Sequence, residues 1–394
     1  MDRFSTGEFS GRIAKLQDFL RQKRVSLAVL TQNSDIYYYT GSVQPLYLLV
    51  PDVGEPLILA RKSLNRIQEE VGHIELGSFY NSKDLTRLVE RFKIDDTKQI
   101  GFTLDTVSYT TVNRFLQLCG GAKIADLSFD IRMLRLVKSA AEIAIQTEAG
   151  KVIAHLPGLV KENFKPGMTE LELSAIIENY LRLHGHGILV RCRREGIECL
   201  GVCSAGKNTL AGTKFDGICA GIGTSNAVPY GATMAEIPRN TPVLLDYAFV
   251  YEGYHVDQTR MFSWGEPEAV VFKAYQAMVE VERVIFDHLK PGTPWLEVYE
   301  RAAECAAGLG YENEFMGLGP EKVRFVGHGV GLELDEPPFL APKMEYLLEA
   351  GMVVAVEPKV ALPGVGVVGI EDTLVIRENG CELLTQCSPE FLIV

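Results

Sequence analysis

Two acidic residues interrupt an otherwise apolar pair of predicted strands. Asp246 and Asp257 lie in the segment TPVLLDYAFVYEGYHVDQTRMF, on either side of Glu252-Gly253. With a two-residue turn at 252–253, residue 246 lies opposite 259 and residue 248 opposite 257. Asp246 and Asp257 are then diagonal neighbours on one face. Buried like charges are costly without a counter-ion, so the pair predicts a cation site. Two solvated carboxylates on an exposed strand face are the alternative for this segment alone.

A second predicted hairpin has the same character. In GMVVAVEPKVALPGVGVVGIEDTLVI, Glu357 lies in an apolar strand and Glu371 in the returning strand. Pro363-Gly364 marks the turn between them. If the turn takes three residues, Glu371 lies opposite Glu357. Two hairpins that each carry a carboxylate pair favour a shared site more strongly than either hairpin does alone.

A histidine lies between the two hairpins in sequence. His328 is flanked by glycines in RFVGHGVGLELDEPP. Glycine permits close backbone approach and leaves the imidazole ring accessible. A lone histidine is usually structural, but its position between two acidic hairpins predicts that His328 is a metal ligand.

The charges of these five residues predict two divalent ions. Four carboxylates carry a charge of −4, which two divalent cations neutralise while His328 stays neutral. Oxygen-rich ligation with one imidazole favours Mn²⁺, Fe²⁺ or Co²⁺, with Zn²⁺ as a further candidate. Two ions about 3.5–4 Å apart can share a water, lower its pKa and polarise a carbonyl group. The chemistry that this predicts is hydrolysis.

The segments that must position these residues divide the chain into two parts. Residues 1–133 alternate helix-like and strand-like segments, beginning with the amphipathic RIAKLQDFLRQKR and the apolar VSLAVL, and they predict an α/β domain. Residues 134–394 begin with a long helical stretch, for which Ser139 and Glu142 form a predicted capping box.

The second part contains an internal pseudo-repeat. Its order is a long helix, a Pro-Gly turn, a second helix and a strand-rich block, and this order occurs twice. The turns lie at 166–169 and 291–294, and the second helices are predicted at about 171–184 and up to about 309. We therefore predict an α+β domain of two similar halves, with the site where their sheets meet.

Composition excludes several classes of protein. The formal net charge of −12 argues against a nucleic-acid partner. No apolar run approaches the roughly 18 residues that span a membrane, and the first residues lack the features of a signal peptide. The eight cysteines form no CxxC pair, and Cys199-x3-Cys203 lacks the second half of a zinc knuckle. We expect a cytoplasmic protein with reduced thiols.

The order of the five candidate ligands resembles that of the pita-bread metallopeptidases, family M24. The matching motifs are VDQTR around Asp257, GHGVG around His328, VEPK around Glu357 and IEDT around Glu371, preceded by Asp246. LRLVKSAAEI at 134–143 resembles the entry into the family's catalytic domain. Residues 12–41 resemble the N-terminal domain of the creatinase, prolidase and aminopeptidase P branch.

The resemblance implies a fold and an activity. It implies a creatinase-like N-terminal domain (1–133), a pita-bread catalytic domain (134–394) and a homodimer. It also implies that Glu357 moves a proton between the attacking water and the leaving nitrogen. A carboxylate that can contact such a water suits general acid–base catalysis. The expected substrates are small peptides.

Three positions depart from the active peptidases of the family. Tyr230 and Asp335 stand where those enzymes carry histidines, and Gly369 stands where they carry an arginine. Tyr230 can still donate a hydrogen bond to a developing oxyanion. Asp335 would repel an oxyanion and attract a cationic group of the substrate. His255, two residues before Asp257, either takes over a lost histidine's role or is a packed or surface histidine.

These departures leave three hypotheses. The first is a metal-dependent Xaa-Pro dipeptidase or aminopeptidase. The second is an enzyme of the same fold that acts on a small non-peptide substrate, as an amide or guanidino hydrolase or a lyase. The third is a non-enzymatic binding module, against which the complete ligand set argues.

Overall fold

The chain forms two compact units. In a computed structural model, which describes residues 3–193, 200–214 and 217–394 together with the backbone of Gly196–Ile197, the units are Met1–Arg135 and Leu136–Val394. Cys199, one half of the Cys199-x3-Cys203 pair, lies outside the described residues. None of the helices in the described part of the chain has the length and apolar character needed to cross a membrane.

The first unit alternates helices and strands, as its sequence predicts. Its elements are α1 (Thr6–Lys23), β1 (Leu27–Leu30), α2 (Asn33–Thr40), β2 (Tyr47–Pro51), β3 (Leu57–Ala60), α3 (Leu64–Glu70), β4 (Glu75–Ser78), α4 (Ser82–Glu90), β5 (Gln99–Phe102), α5 (Tyr109–Leu118), β6 (Lys123–Asp126) and α6 (Ser128–Leu134). The strands form one mixed sheet in the order β4-β3-β2-β1-β5-β6. Strands β1, β3 and β5 are buried almost throughout, so both faces of this part of the sheet are covered.

The second unit begins with three helices and continues with the strands of its first half. These elements are α7 (Ala140–Ile153), α8 (Leu156–Asn163), α9 (Glu170–Leu183), β7 (Arg191–Cys192), β8 (Gly196–Ile197), β9 (Gly201–Ala205), β10 (Pro242–Tyr251) and β11 (Tyr254–Ser263). The second half repeats helices and then strands. Its elements are α10 (Ala269–His288), α11 (Trp295–Gly308), β12 (Gly327–Gly329), β13 (Glu336–Phe339), β14 (Val353–Val356), β15 (Lys359–Leu362), β16 (Gly366–Gly369), β17 (Asp372–Arg377), β18 (Gly380–Leu383) and β19 (Leu392–Ile393).

The helix predicted from residue 133 onward is not continuous. The predicted capping box is present, since Ser139 Oγ accepts a hydrogen bond from Glu142 N and the Glu142 carboxylate accepts one from Ser139 N. However, α7 ends at Ile153 and α8 starts anew at Leu156, with Pro157 in its first turn. Proline has no backbone N–H to donate within a helix, so the chain breaks there. The prediction of one long helix was therefore wrong.

Two sheets of the second unit are joined by a backbone bridge. One has the order β19-β11-β10-β9 and the other the order β13-β12-β14-β17-β18. Between them, Thr259 N donates to Glu371 O and Glu371 N donates to Thr259 O, both at 3.2 Å. This antiparallel bridge brings the two acidic hairpins together, as the pseudo-repeat predicts.

Helix α7 ties the two sheets together from behind. The Gln146 side chain is fully buried, and its Nε2 donates to His255 O (2.9 Å) and to Val330 O (3.1 Å). His255 lies in β11, and Val330 directly follows β12. One amide thus satisfies a backbone carbonyl near each of two candidate ligands, Asp257 and His328.

We predict that Gln146→Leu lowers the free energy of unfolding by about 2 kcal/mol, because two buried carbonyl groups lose their donor. Lys151→Gln in the same helix is the control. It removes only an exposed ion pair with Glu148, which contributes about 0.5 kcal/mol or less. Urea denaturation of both variants measures the difference. Equal stability losses in the two variants would show that the buried amide contributes little.

Candidate metal centre

The first acidic hairpin has the predicted register. Asp246 pairs with Thr259 and Ala248 with Asp257, across a two-residue turn. Both turn residues have positive φ, Glu252 at 47° and Gly253 at 90°, as the tight hairpin turn requires. The two aspartates therefore share one face, and the predicted diagonal arrangement is confirmed.

The second acidic hairpin is also confirmed. Leu362 pairs with Gly366, so the turn takes three residues. Lys359 pairs with Gly369 after Glu357, and Val356 pairs with Asp372 before it. Both pairs belong to the same register, which places Glu357 opposite Glu371. Glu357 and Glu371 therefore face each other, where the ladder of β14–β17 gives way to that of β15–β16.

His328 lies in β12, beside β14. A Cβ atom at position 327 or 329 would lie 2.5 Å from a backbone oxygen of a neighbouring strand, so only glycine fits on either side of the histidine. The ring nitrogen Nδ1 of His328 lies 3.2 Å from Gly329 O, and Nε2 lies 3.7 Å from Glu357 Oε1. The Nε2 atom thus faces the carboxylates.

Three of the five predicted ligands form a compact cluster. One side-chain ligand atom from each of Asp257, His328 and Glu371 lies within 4.8 Å of the others, and all three residues are buried. Burial raises the pKa of Asp257 well above its usual value, and the charges of Glu371 and Asp246 raise it further. Two carboxylates and an imidazole in this arrangement fit a divalent cation.

A lysine that was not among the predicted site residues occupies the other half of the site. Lys359 is 1% exposed, and its Nζ donates to Glu357 Oε2 (2.7 Å), Glu371 Oε2 (2.9 Å) and Asp246 Oδ2 (3.1 Å). Burial alone would lower the pKa of Lys359, but the charges of Asp246, Glu357 and Glu371 outweigh burial and hold that pKa well above its usual value. The count of charges that predicted two ions omitted this positive charge.

A signal for Lys359 was present in the sequence. It follows Glu357 by two residues in an apolar strand, and alternate residues of a strand share a face. A buried lysine needs a partner, and the nearest carboxylate on that face was already assigned to the site.

Neighbouring side chains form hydrogen bonds with Glu371 and Asp257. Thr259 Oγ1 donates to Glu371 Oε2 at 2.8 Å. Arg260 Nη1 donates to Glu371 O at 2.8 Å, and Arg260 Nη2 contacts both carboxylate oxygens of Asp372 at 2.8 and 2.9 Å. Thr373 Oγ1 accepts from Asp257 N and donates to Asp257 O. These contacts fix the backbone of two candidate ligands.

Two predicted substrate-binding residues lie in loops. Tyr230 is half-buried in the connection between β9 and β10, just beyond the bridge between Ser225 and Val228. Asp335 is exposed before β13, and its negative charge is one of those that raise the pKa of His328 against the opposing effect of burial. Asp335 therefore adds negative charge close to the centre.

His255 precedes Asp257 by two residues in β11, and backbone groups engage both nitrogens of its ring. Its ring is fully buried, Nε2 accepts from Arg191 N (3.0 Å), and Nδ1 lies 2.8 Å from Gly331 O. Both ring nitrogens are engaged with the backbone, as a neutral imidazole allows. His255 is thus the packed histidine that the sequence left open as an alternative.

Burial lowers the pKa of His255 to about 3, which predicts acid sensitivity. Between about pH 6.5 and 3 the unfolded chain takes up a proton that the folded chain does not, so stability falls as the pH falls. The loss from this group reaches about 2 kcal/mol at pH 5. Denaturation at pH 7 and pH 5 in chelator should show a smaller loss for His255→Asn than for the wild type. The exposed His184→Asn is the control, and an equal loss in all three proteins would contradict the prediction.

Comparison with known proteins places this geometry in a family. Residues 144–378, more than half of the chain, match the model of metallopeptidase family M24, and residues 12–137 match that of the creatinase/prolidase N-terminal domain. An uncharacterized peptidase of Bacillus subtilis strain 168, YqhT, is 27% identical over 97% of this chain and 100% of its own length. The Xaa-Pro dipeptidase of Pyrococcus furiosus is 26% identical over 97% of this chain and 99% of its own.

Solved structures share the whole fold. An Xaa-Pro dipeptidase from Bacillus anthracis superposes with a TM-score of 0.83 and 23% identity, over 98% of this chain and 100% of its own. The prolidase of Pyrococcus horikoshii gives a TM-score of 0.80 at 23% identity, over 97% and 99%. The fold is therefore an α/β N-terminal domain followed by a pita-bread domain. The chain belongs to metallopeptidase family M24, in the branch that carries the creatinase/prolidase N-terminal domain.

Proposed function

We propose that this protein is a metal-dependent peptidase that cleaves the bond before proline in short peptides. One observation carries the proposal: an Asp257–His328–Glu371 cluster with Glu357 beside it, in a chain that matches Xaa-Pro dipeptidases over nearly its full length. The substrate class comes from those relatives. As the resemblance implied, we also propose a homodimer.

The geometry of the cluster supports the proposed metal ligands. Asp257, His328 and Glu371 would hold a divalent ion, with Mn²⁺, Co²⁺, Fe²⁺ and Zn²⁺ as candidates. The predicted ligands Asp246 and Glu357 border the same space. When bound, the ion supplies Lewis-acid polarisation of the scissile carbonyl and lowers the pKa of a water.

Glu357 is our candidate for the general acid–base residue. Its Oε2 is held by Lys359, while its Oε1 points towards His328 Nε2 at 3.7 Å. One carboxylate oxygen is thus fixed, and the other lies beside the cluster. Glu357 can take a proton from the attacking water and return it to the leaving nitrogen.

The loop residues would orient the substrate. Tyr230 can donate a hydrogen bond from its hydroxyl group to an oxyanion, a role that neutral donors commonly serve. Asp335 is one of the negatively charged residues that act on His328. Its carboxylate can attract the ammonium group at the amino end of a peptide. Both roles suit short peptides, in which that ammonium group lies close to the scissile bond.

A second candidate function keeps the fold and changes the substrate. Tyr230, Asp335 and Gly369 stand in for two histidines and an arginine of the active peptidases. These substitutions motivate the alternative that the substrate is a small amide, a guanidino compound or a lyase substrate. A bound structure with an intact peptide aligned at the cluster would exclude this alternative.

The peptidase proposal predicts release of proline. Protein loaded with Mn²⁺, Co²⁺ or Zn²⁺ should hydrolyse members of a panel of Xaa-Pro dipeptides and tripeptides. Glu357→Gln should lower kcat by about 100-fold or more, because it removes the proton acceptor. The exposed Glu345→Gln is the control and should retain full activity. If no ion supports release of proline or of an N-terminal residue, the peptidase proposal fails.

Asp257→Asn should separate metal binding from folding. The substitution removes one of several buried negative charges, so we expect a melting temperature in chelator at or above that of the wild type. In Mn²⁺ the variant should gain less stability, because weaker binding of an ion to the folded state stabilises it less. Thermal melts with and without Mn²⁺ test the expected melting temperature in chelator and the smaller stabilisation by Mn²⁺. Elemental analysis measures the metal content. Unchanged metal content would contradict the ligand assignment.

A further inference from the structure

Lys359 has the coordination of a bound cation. An ammonium group has three N–H donors, and those of Lys359 each reach a different carboxylate, on Asp246, Glu357 and Glu371. The three N–O distances lie between 2.7 and 3.1 Å, and the side chain is 1% exposed. The full donor capacity of the lysine is therefore used inside the carboxylate cluster.

The carboxylates divide into two groups around Glu371. Among the described residues, the compact ligand cluster contains Asp257, His328 and Glu371 but neither Asp246 nor Glu357. Those two direct an oxygen to Lys359 Nζ instead. Glu371 belongs to both groups, since its Oε2 accepts from Lys359. A shared carboxylate with one cation on each side is the arrangement of a two-cation centre.

Gly369 provides the space that Lys359 needs. The two residues are direct partners in the β15–β16 ladder. A Cβ atom at position 369 would overlap Lys359 Cγ and would lie 2.6 Å from Pro358 O and 2.7 Å from Lys359 Cα. A side chain at 369 would therefore clash with the backbone at 358–359 as well as with the Lys359 stem. The departure at Gly369 and the lysine at 359 form one structural feature.

We propose that Lys359 takes the place of a second metal ion, so that this centre binds a single divalent cation between Asp257, His328 and Glu371. The proposal rests on the proposed metal-dependent function for its ion. It replaces the expectation of two ions. That expectation counted the charges of the four carboxylates and left out the charge of Lys359. The ammonium cannot be removed by a chelator, so this half of the centre does not depend on the metal supply.

The charges of the centre bear on the number of ions. Four carboxylates, one ammonium and one divalent cation sum to −1 when His328 is neutral, and a second divalent cation would make the sum +1. A second divalent cation would have to lie beside the Lys359 ammonium, among carboxylates whose oxygens already accept its hydrogen bonds. Repulsion between two cations a few ångströms apart in a buried site is large. The remaining negative charge suits a substrate that carries a cationic group.

Lys359 is also a positioning residue. By holding Glu357 Oε2 it leaves Oε1 directed towards His328, the orientation that the proposed acid–base role uses. Its aliphatic stem lies against Gly369, so the orientation depends on both strands of the β15–β16 hairpin.

Metal stoichiometry tests the proposal directly. Full-length protein is freed of metal, titrated with Mn²⁺ by calorimetry and analysed by elemental analysis and electron paramagnetic resonance. The wild type should bind about one Mn²⁺ per chain, with the spectrum of an isolated ion. Lys359→Ala, prepared in Mn²⁺, should bind about two and show the signal of two exchange-coupled ions.

Lys138→Ala is the matched control. Lys138 is another buried lysine of the same unit, and its Nζ lies 2.9 Å from Glu336 Oε1. Its loss should lower stability and leave the number of bound ions at about one. If the loss of any buried lysine raised the number of bound ions, both variants would bind about two ions per chain. That result would overturn the assigned role of Lys359.

The wild-type result decides the proposal even if Lys359→Ala does not fold. About two ions per wild-type chain would overturn it, and so would a folded Lys359→Ala variant that still binds about one ion at saturating Mn²⁺. Binding of no ion would overturn both this proposal and the metal-dependent function. One bound ion without peptide hydrolysis would leave this proposal standing and reject the proposed peptidase activity alone.

Discussion

Four carboxylates converge on one buried space, and the rest of the catalytic domain depends on how their repulsion is relieved. Asp246, Asp257, Glu357 and Glu371 come from two hairpins that are far apart in sequence. Burial disfavours the charged form of each carboxylate that lacks a partner, and each adds to the cost of its neighbours. Positive charge must enter this space. The structure supplies part of it through Lys359 and leaves a second position that suits a divalent ion.

The pseudo-repeat explains how such a costly site is held. Each half contributes a hairpin with two carboxylates, and the Thr259–Glu371 bridge joins the halves at the site itself. Gln146 links the two sheets from the helix behind them, while Arg260 and Thr373 fix the backbone of Glu371 and Asp257. Rigid strands are suited to hold ligands at fixed distances, and contacts behind them preserve the geometry when charges change.

The departures from the family pattern are not independent of one another. Position 369 carries glycine where the family resemblance predicts an arginine. The residue paired with it, Lys359, brings a positive charge into the site, and its stem lies in the space beside Gly369. Asp335 adds a negative charge near His328, while Tyr230 keeps a hydrogen-bond donor in its loop. The centre thus combines the family's ligand set with altered charge surroundings, which bear on the number of ions and on the substrate.

Local sequence determined the hairpins, because strand alternation and turn length set which residues oppose each other. The register of Asp246 and Asp257, the facing of Glu357 and Glu371, and the Ser139–Glu142 capping box all followed from short-range rules. The convergence of the hairpins could be predicted only through the pseudo-repeat and the family resemblance. Tertiary structure alone decided the contact of Lys359 with the first hairpin and the backbone partners of His255. Lys359 contacts carboxylates from both hairpins, and His255 is buried by backbone groups of distant segments. No local pattern encodes contacts between residues that far apart, because they depend on how the sheets pack.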